Sequence, residues 1–243
     1  MSLKAILFDF NGVIINDESI QEQLIKQLLL GENLTLTQGE YECTWFGKSD
    51  RACLRDLLNN RGRVVNEAYL TKLLHKKSEA YLQELEKLEK LPIYPGLEDL
   101  LFQVRSLHNV SDDNSQAVKI GLVSGAIRQE IDIVLQRANL TELFQVIIAD
   151  DDIPNSQSET DGYLLAVERL NQQFPDLNLQ PSECLAIKNS LIGVQTAKSA
   201  GMQVVGLANN YPFHMLQRCS NWTVDYLMDL EVERVVEVFS QQH

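Results

Sequence analysis

Leu3-Lys4-Ala5-Ile6-Leu7-Phe8-Asp9-Phe10-Asn11-Gly12-Val13 is the stretch that decides the reading of this chain. The run up to Phe8 is almost wholly apolar, does not alternate, and is short for a helix. That pattern fits a strand buried on both faces of a parallel sheet. A carboxylate, Asp9, ends the run, and Gly12 lets the backbone turn sharply away. Comparable runs follow at Val118–Val123, Phe144–Ile148, Cys184–Ile187 and Met202–Leu207. Helix-period stretches lie between them, at about Ile127–Ala138, Thr160–Gln172 and Leu191–Ala200, and a last one covers about Leu230–Phe239. This alternation predicts an α/β fold, a doubly wound parallel sheet covered by helices.

Between the first and second strands the pattern changes. From about Glu18 to Leu91 there is no clear strand, and Leu70, Leu73, Leu74, Tyr81, Leu85 and Leu88 recur at helical spacing. This block reads as an inserted helical domain whose leucine stripe packs within the insert. Pro92 and the Tyr94-Pro95-Gly96 turn return the chain to the main domain. The expected boundaries are 1–15 and 92–243 for the core and 16–91 for the insert.

Composition narrows the function. The 243 residues are 44% hydrophobic and 23% charged, a globular balance. Acidic residues number 34 against 21 basic ones, for a net charge of −13. Such a surface repels phosphate backbones and acidic headgroups, so neither nucleic acid nor membrane is an expected partner. The longest apolar runs are too short to span a bilayer. A strand begins almost at once, which leaves no room for a secretory leader. Cys43, Cys53, Cys184 and Cys219 are scattered, with no C-x-x-C pair and no His at zinc spacing, and read as thiols in a reducing compartment. The expected location is cytoplasmic.

Ligands of open parallel sheets bind at the carboxyl ends of the strands, at the topological switch point. The residues there are Asp9-Phe10-Asn11, Ser124-Gly125, Asp150-Asp151-Asp152 and Lys188-Asn189-Ser190. Asp9, Ser124, Lys188 and Asn189 are expected to converge. Ser124 beside Gly125 at a helix start suits an anion, and an N-cap role accounts for it equally well. The Asp150–Asp152 run reads as a solvated loop face. The four histidines pair with no nucleophile and are incidental.

The motifs Phe8-Asp9-Phe10-Asn11-Gly12-Val13, Gly47-Lys48-Ser49, Pro95-Gly96, Leu122-Val123-Ser124-Gly125, Asp161-Gly162-Tyr163 and Gly193-Val194 followed by Ala200-Gly201-Met202 occur in one order. In these the chain resembles the haloacid dehalogenase (HAD) superfamily, in the β-phosphoglucomutase and phosphoglycolate phosphatase branch with a helical cap. The resemblance spans nearly the whole chain. It implies a Rossmann-like core in which Asp9 is a nucleophile that forms an aspartyl-phosphate and Ser124, with Gly125, holds phosphoryl oxygens. Lys48, Ser49 and Arg51 match the substrate-facing loop of related caps, and they read equally well as the start of a helix at Ser49. It further implies Mg²⁺, held by the nucleophile together with acids after the fourth strand.

Other positions depart from that pattern. Asn11 stands where a general acid/base Asp is expected, and a carboxamide cannot shuttle a proton at neutral pH. The lysine expected ahead of Asp161 falls on Gln157. The acidic pair after the fourth strand is Lys188-Asn189. The metal set is thus Asp9, Asn11 and Asn189, poor in the charge that Mg²⁺ requires. The expectation is that Lys188 pairs with Asp9 in the metal's place. Mg²⁺-dependent phosphatase chemistry is then weakened or lost, and the chain acts as a binding or interaction protein for a small phosphorylated ligand or a protein partner. The alternative is an active phosphatase or phosphomutase working through Asp9. Dehalogenation, which needs no metal, is disfavoured because Gln157 and Gly193 stand where that branch has a lysine and an aspartate.

Overall fold

The computed structural model describes residues 2–37, 48–107, 117–153 and 160–241. Six parallel strands form one sheet: β1 (Ala5–Phe8), β2 (Lys119–Val123), β3 (Val146–Ile148), β4 (Cys184–Lys188), β5 (Gln203–Leu207) and β6 (Trp222–Val224). Their order is β3-β2-β1-β4-β5-β6. The chain runs outward from β1 to β3, then crosses back to β4 on the other side of β1. The sheet therefore reverses winding between β1 and β4, and a crevice opens at their carboxyl ends. Register sets Ile6 against Ile120 on one side and Leu185 on the other.

Alternation along β1 divides the core. Ile6 and Phe8 face one layer, shared with α4 (Leu97–Ser106), α5 (Arg128–Arg137) and α9 (Val232–Gln241). Ala5 and Leu7 face the other, covered by α6 (Asp161–Gln173) and α7 (Leu191–Ser199). All four β1 residues are buried, which is why its sequence is continuously apolar. No described helix is long and apolar enough to cross a membrane.

The insert is helical, with α1 (Glu18–Gly31), α2 (Asp50–Asn60) and α3 (Glu67–Glu86) among the described residues. Ser49 starts α2 by accepting the Ala52 N–H at 3.2 Å, and Asn66 starts α3 by accepting that of Tyr69 at 2.9 Å. The leucine stripe of α3 does not stay within the insert as the spacing predicts. Leu70, Leu73 and Leu74 join Ile25 and Leu54 in a small separate core, whereas Tyr81 and Leu85 enter the main core beside Phe10 and Ile14. One helix thus ties the insert to the sheet.

The sequence reading misses β6. It is three residues long, half-exposed and carries Thr223 at its centre, so no apolar run marks it. Its placement depends on long-range packing: Trp222 stacks on Phe239 of α9 with ring centroids 6.2 Å apart. A short helix, α8 (Phe213–Gln217), leads into it. Phe239 is fully buried. Phe239→Ala is expected to cost about 3–5 kcal/mol of stability in urea denaturation, because it leaves a cavity between α9 and the sheet edge.

Candidate active site

The ends of β1 and β4 bring Asp9 and Lys188 together. Lys188 Nζ lies 2.9 Å from Asp9 Oδ2, and the two side chains are 6% and 17% exposed. Lys188 also donates to the Val123 carbonyl at 3.0 Å and sits 5.2 Å from the centroid of the buried Tyr163 ring. Its ammonium is thereby surrounded by β1, β2 and α6. Burial alone would push the lysine down, but the charge of Asp9, aided by Tyr163, outweighs it and holds the group above its ordinary range. The other Asp9 oxygen, Oδ1, accepts the Phe10 N–H at 2.9 Å.

Asn11 is directed elsewhere. Its amide donates to both oxygens of Asp17, at 3.1 and 3.0 Å. Asp17 is completely buried and also accepts from Gln21 at 2.9 Å and Tyr81 at 2.6 Å. Burial pushes this carboxyl up, while the bonds from Tyr81, Gln21 and Asn11 and the charge of Lys77 pull it back. Sequence reasoning missed Asp17 because nothing in local pattern marks a carboxylate whose partners come from three separate elements.

Gly12 makes the crevice possible. It has φ +73°, and a Cβ there would lie 1.9 Å from Asn189 Nδ2 and 2.4 Å from Glu18 Oε1. Asn209 donates to the Gly12 carbonyl at 2.6 Å, and Asn210 donates to Glu18 at 3.2 Å. Ser190 accepts the Gly193 N–H at 3.0 Å and starts α7, which holds Asn189 in place.

Several sequence expectations change here. Ser124 is not an N-cap: its Oγ accepts the Ala126 N–H at 3.1 Å, in a turn before α5, whose capping position is Ile127. Gly125 serves close packing, since a Cβ on it would meet Ser49 Cα at 2.7 Å. Arg51 bridges core and insert: Nε bonds Asp150 at 2.8 Å and Nη1 bonds Glu67 of α3 at 3.2 Å. Lys48, just ahead of α2, pairs with Asp56 of that helix at 3.5 Å. Of the Asp150–Asp152 run only Asp151 is exposed to solvent; Asp150 is buried against Arg51 and Asp152 pairs with Arg128 and Arg169. Gln157 and Gly47 lie outside the described residues.

A second ionic cluster, unforeseen from sequence, joins insert and core. Lys77 of α3, 2% exposed, contacts Asp50 and lies 3.2 Å from Glu130 of α5, itself 1% exposed. Burial pushes Glu130 up to about 7, against the pull of Lys77.

The side chains at the strand ends do not suit Mg²⁺. That ion leaves bulk water reluctantly and needs carboxylate charge. Asp9 is neutralised by Lys188, Asn11 is bound to Asp17, and Asn189 offers only a neutral oxygen or amide. Among the described residues no three acidic, histidine or cysteine side chains converge as a metal set.

A family model described as haloacid dehalogenase-like hydrolase matches residues 3–201. The chain is 24% identical over 230 residues to a β-phosphoglucomutase of Bacillus subtilis, covering 94% of this chain and 93% of that protein. It is 21% identical over 227 residues to a phosphoglycolate phosphatase of Shigella boydii, covering 87% and 83%. Among solved structures, a β-phosphoglucomutase from Clostridium difficile aligns with a TM-score of 0.78 at 22% identity, over 98% of each chain. CbbY from Rhodobacter sphaeroides, in complex with phosphate, aligns at 0.76 and 17% identity over 95% and 97%.

Two predictions follow from the buried carboxyls. A carboxyl whose folded pKa exceeds its unfolded one stabilises the native state fully below the unfolded value, and that contribution is lost as pH rises through the folded value. For Glu130 the window runs from 4.5 to about 7. Glu130→Gln is therefore expected to flatten the fall in stability across that window, read by urea denaturation at stepped pH. Asn11→Asp replaces a donor to Asp17 with a second carboxylate. It is expected to lose about 1–3 kcal/mol at neutral pH for the missing hydrogen bonds, with added repulsion. The loss should shrink on acidification, as thermal melts at pH 7 and pH 5 would show.

Proposed function

Because the chain belongs to the haloacid dehalogenase-like hydrolase family, we propose that it acts on a small phosphorylated metabolite by phosphoryl transfer to Asp9. One observation carries this reading: the Asp9 carboxylate stands at the carboxyl end of β1, at the switch point, with a fixed counter-ion behind it. Relatives named as phosphatases and phosphomutases support the substrate class. Phosphatases of this family generally use Mg²⁺, but the side chains here do not suit it.

Oδ1, which carries the backbone bond from Phe10, is the attacking oxygen, while Oδ2 stays on Lys188. A new O–P bond forms as the ester P–O bond breaks. The departing oxygen keeps that electron pair and takes a proton from water. Water then attacks the phosphorus of the aspartyl-phosphate, loses a proton to solvent, and frees phosphate and the Asp9 carboxylate. Ser124 and the Gly125 turn face the transferred group.

Asn11 lends no proton to either step, because a carboxamide does not ionise at neutral pH, and its amide is bound to Asp17. An absent general acid/base removes about 10²- to 10⁴-fold in rate. The substrates served best are those whose leaving group departs as a stable anion. The same commitment of Asn11 favours a second reading, in which the cleft binds a phosphorylated ligand or a protein partner without turnover.

The test is turnover of an aryl and an alkyl phosphate ester by wild type and Asp9→Asn. Expected are slow aryl phosphate hydrolysis, alkyl ester hydrolysis slower by at least about 10²-fold, and neither in Asp9→Asn. Wild type with no more turnover than Asp9→Asn on both esters overturns the phosphoryl-transfer reading in favour of the binding reading.

A further inference from the structure

The cleft has an unusual charge balance. Asp9 is neutralised at 2.9 Å by an ammonium whose remaining contacts are the Val123 carbonyl and the Tyr163 ring. Three protons on Nζ therefore face three partners supplied by the protein. Lys188 acts as an internal counter-ion rather than as a hook reaching into the cleft. The carboxylate it screens would otherwise repel any dianion placed against it.

Asn189 adds an independent observation. It is 6% exposed and lies against Gly12, with Nδ2 pressed to the bare Cα of that turn. Its carboxamide is not among the buried polar atoms left without a partner, so its polar atoms are not sealed off by the protein. Its N–H groups suit an anionic oxygen. Glu18 lies on the same side of Gly12, but its Oε1 is engaged by Asn210.

We propose that Lys188 and Asn189 together replace the divalent cation of this cleft, so that it binds a phosphate monoester or free phosphate without metal. Lys188 cancels the charge of Asp9, and Asn189 donates to a phosphoryl oxygen. The inference rests on the small phosphorylated ligand of the proposed function and deepens it by stating how the site balances charge.

The experiment is isothermal titration of the full chain with inorganic phosphate and with orthovanadate, in EDTA and in excess Mg²⁺. Expected is one affinity, equal in both buffers to within about twofold. Lys188→Met leaves Asp9 uncompensated and is expected to lose at least about tenfold in affinity, or ~1.4 kcal/mol. Asp9→Asn combined with Lys188→Met removes both charges, and binding should return to near the wild-type level in EDTA. This double variant also serves where Lys188→Met alone unfolds, because it buries no lone charge. Asn189→Ala is expected to weaken phosphate binding with the melting temperature of the free protein unchanged.

Binding that appears only with Mg²⁺ overturns the inference and leaves the phosphorylated-ligand reading standing. No binding of either anion in either buffer overturns both. A double variant that fails to bind shows that Lys188 touches the anion directly, and the counter-ion role falls.

Discussion

The buried ion pair between Asp9 and Lys188 organises the strand ends. Taking two charges out of water is costly, and their attraction offsets this only where geometry is good and other polar atoms are satisfied. Here the strands supply that geometry. β1 and β4 are neighbours in register, and their last residues stand side by side where the sheet reverses winding. The Val123 carbonyl comes from the far neighbour of β1, and the Tyr163 ring comes from the covering helix α6. Removing either charge would strand the other, so the pair constrains the ends of β1, β2 and β4 together.

That constraint explains how much of the site was legible in sequence. A run buried on both faces must be apolar throughout, so β1, β2 and β4 could be read from composition alone. The residue that ends such a run must sit at the crevice, which placed Asp9, Ser124 and Lys188 correctly relative to the sheet. Direction was not legible, because a side chain's aim depends on partners far away in the chain. Asn11 turns toward Asp17, six residues on, only because Tyr81 of α3 and Gln21 of α1 complete the same carboxylate. Arg51 matches a substrate-facing position yet spends its charge on Asp150, a residue 99 positions away. β6 escaped for a related reason: its stability lies in contacts with α9 rather than in its own three residues.

The insert is held to the core by two kinds of contact with different physical character. Tyr81 and Leu85 bury apolar surface in the main core. Ser49 against Gly125, Arg51 on Asp150, and Lys77 between Asp50 and Glu130 form a second, ionic seam nearer the strand ends. Opening that seam returns buried charges to water, so much of the Coulomb energy lost is recovered as hydration. The apolar attachment has no such compensation. Separation of insert and core therefore costs least along the ionic seam, beside Gly125, and most at the second half of α3.

The same asymmetry bears on the proposed approach of a ligand to Asp9. The seam lies over the Ser124–Gly125 turn, so parting it uncovers the turn while Tyr81 keeps its grip on Asp17 and, through Asn11, on the loop that follows Asp9. The loop carrying the carboxylate thus stays fixed when the cleft is accessible. A ligand entering there finds Asp9 already oriented by Phe10 and neutralised by Lys188, with no loop ordering left to offset from its binding energy. Fixing Asn11 on the far side of its loop is the structural condition for that preorganisation.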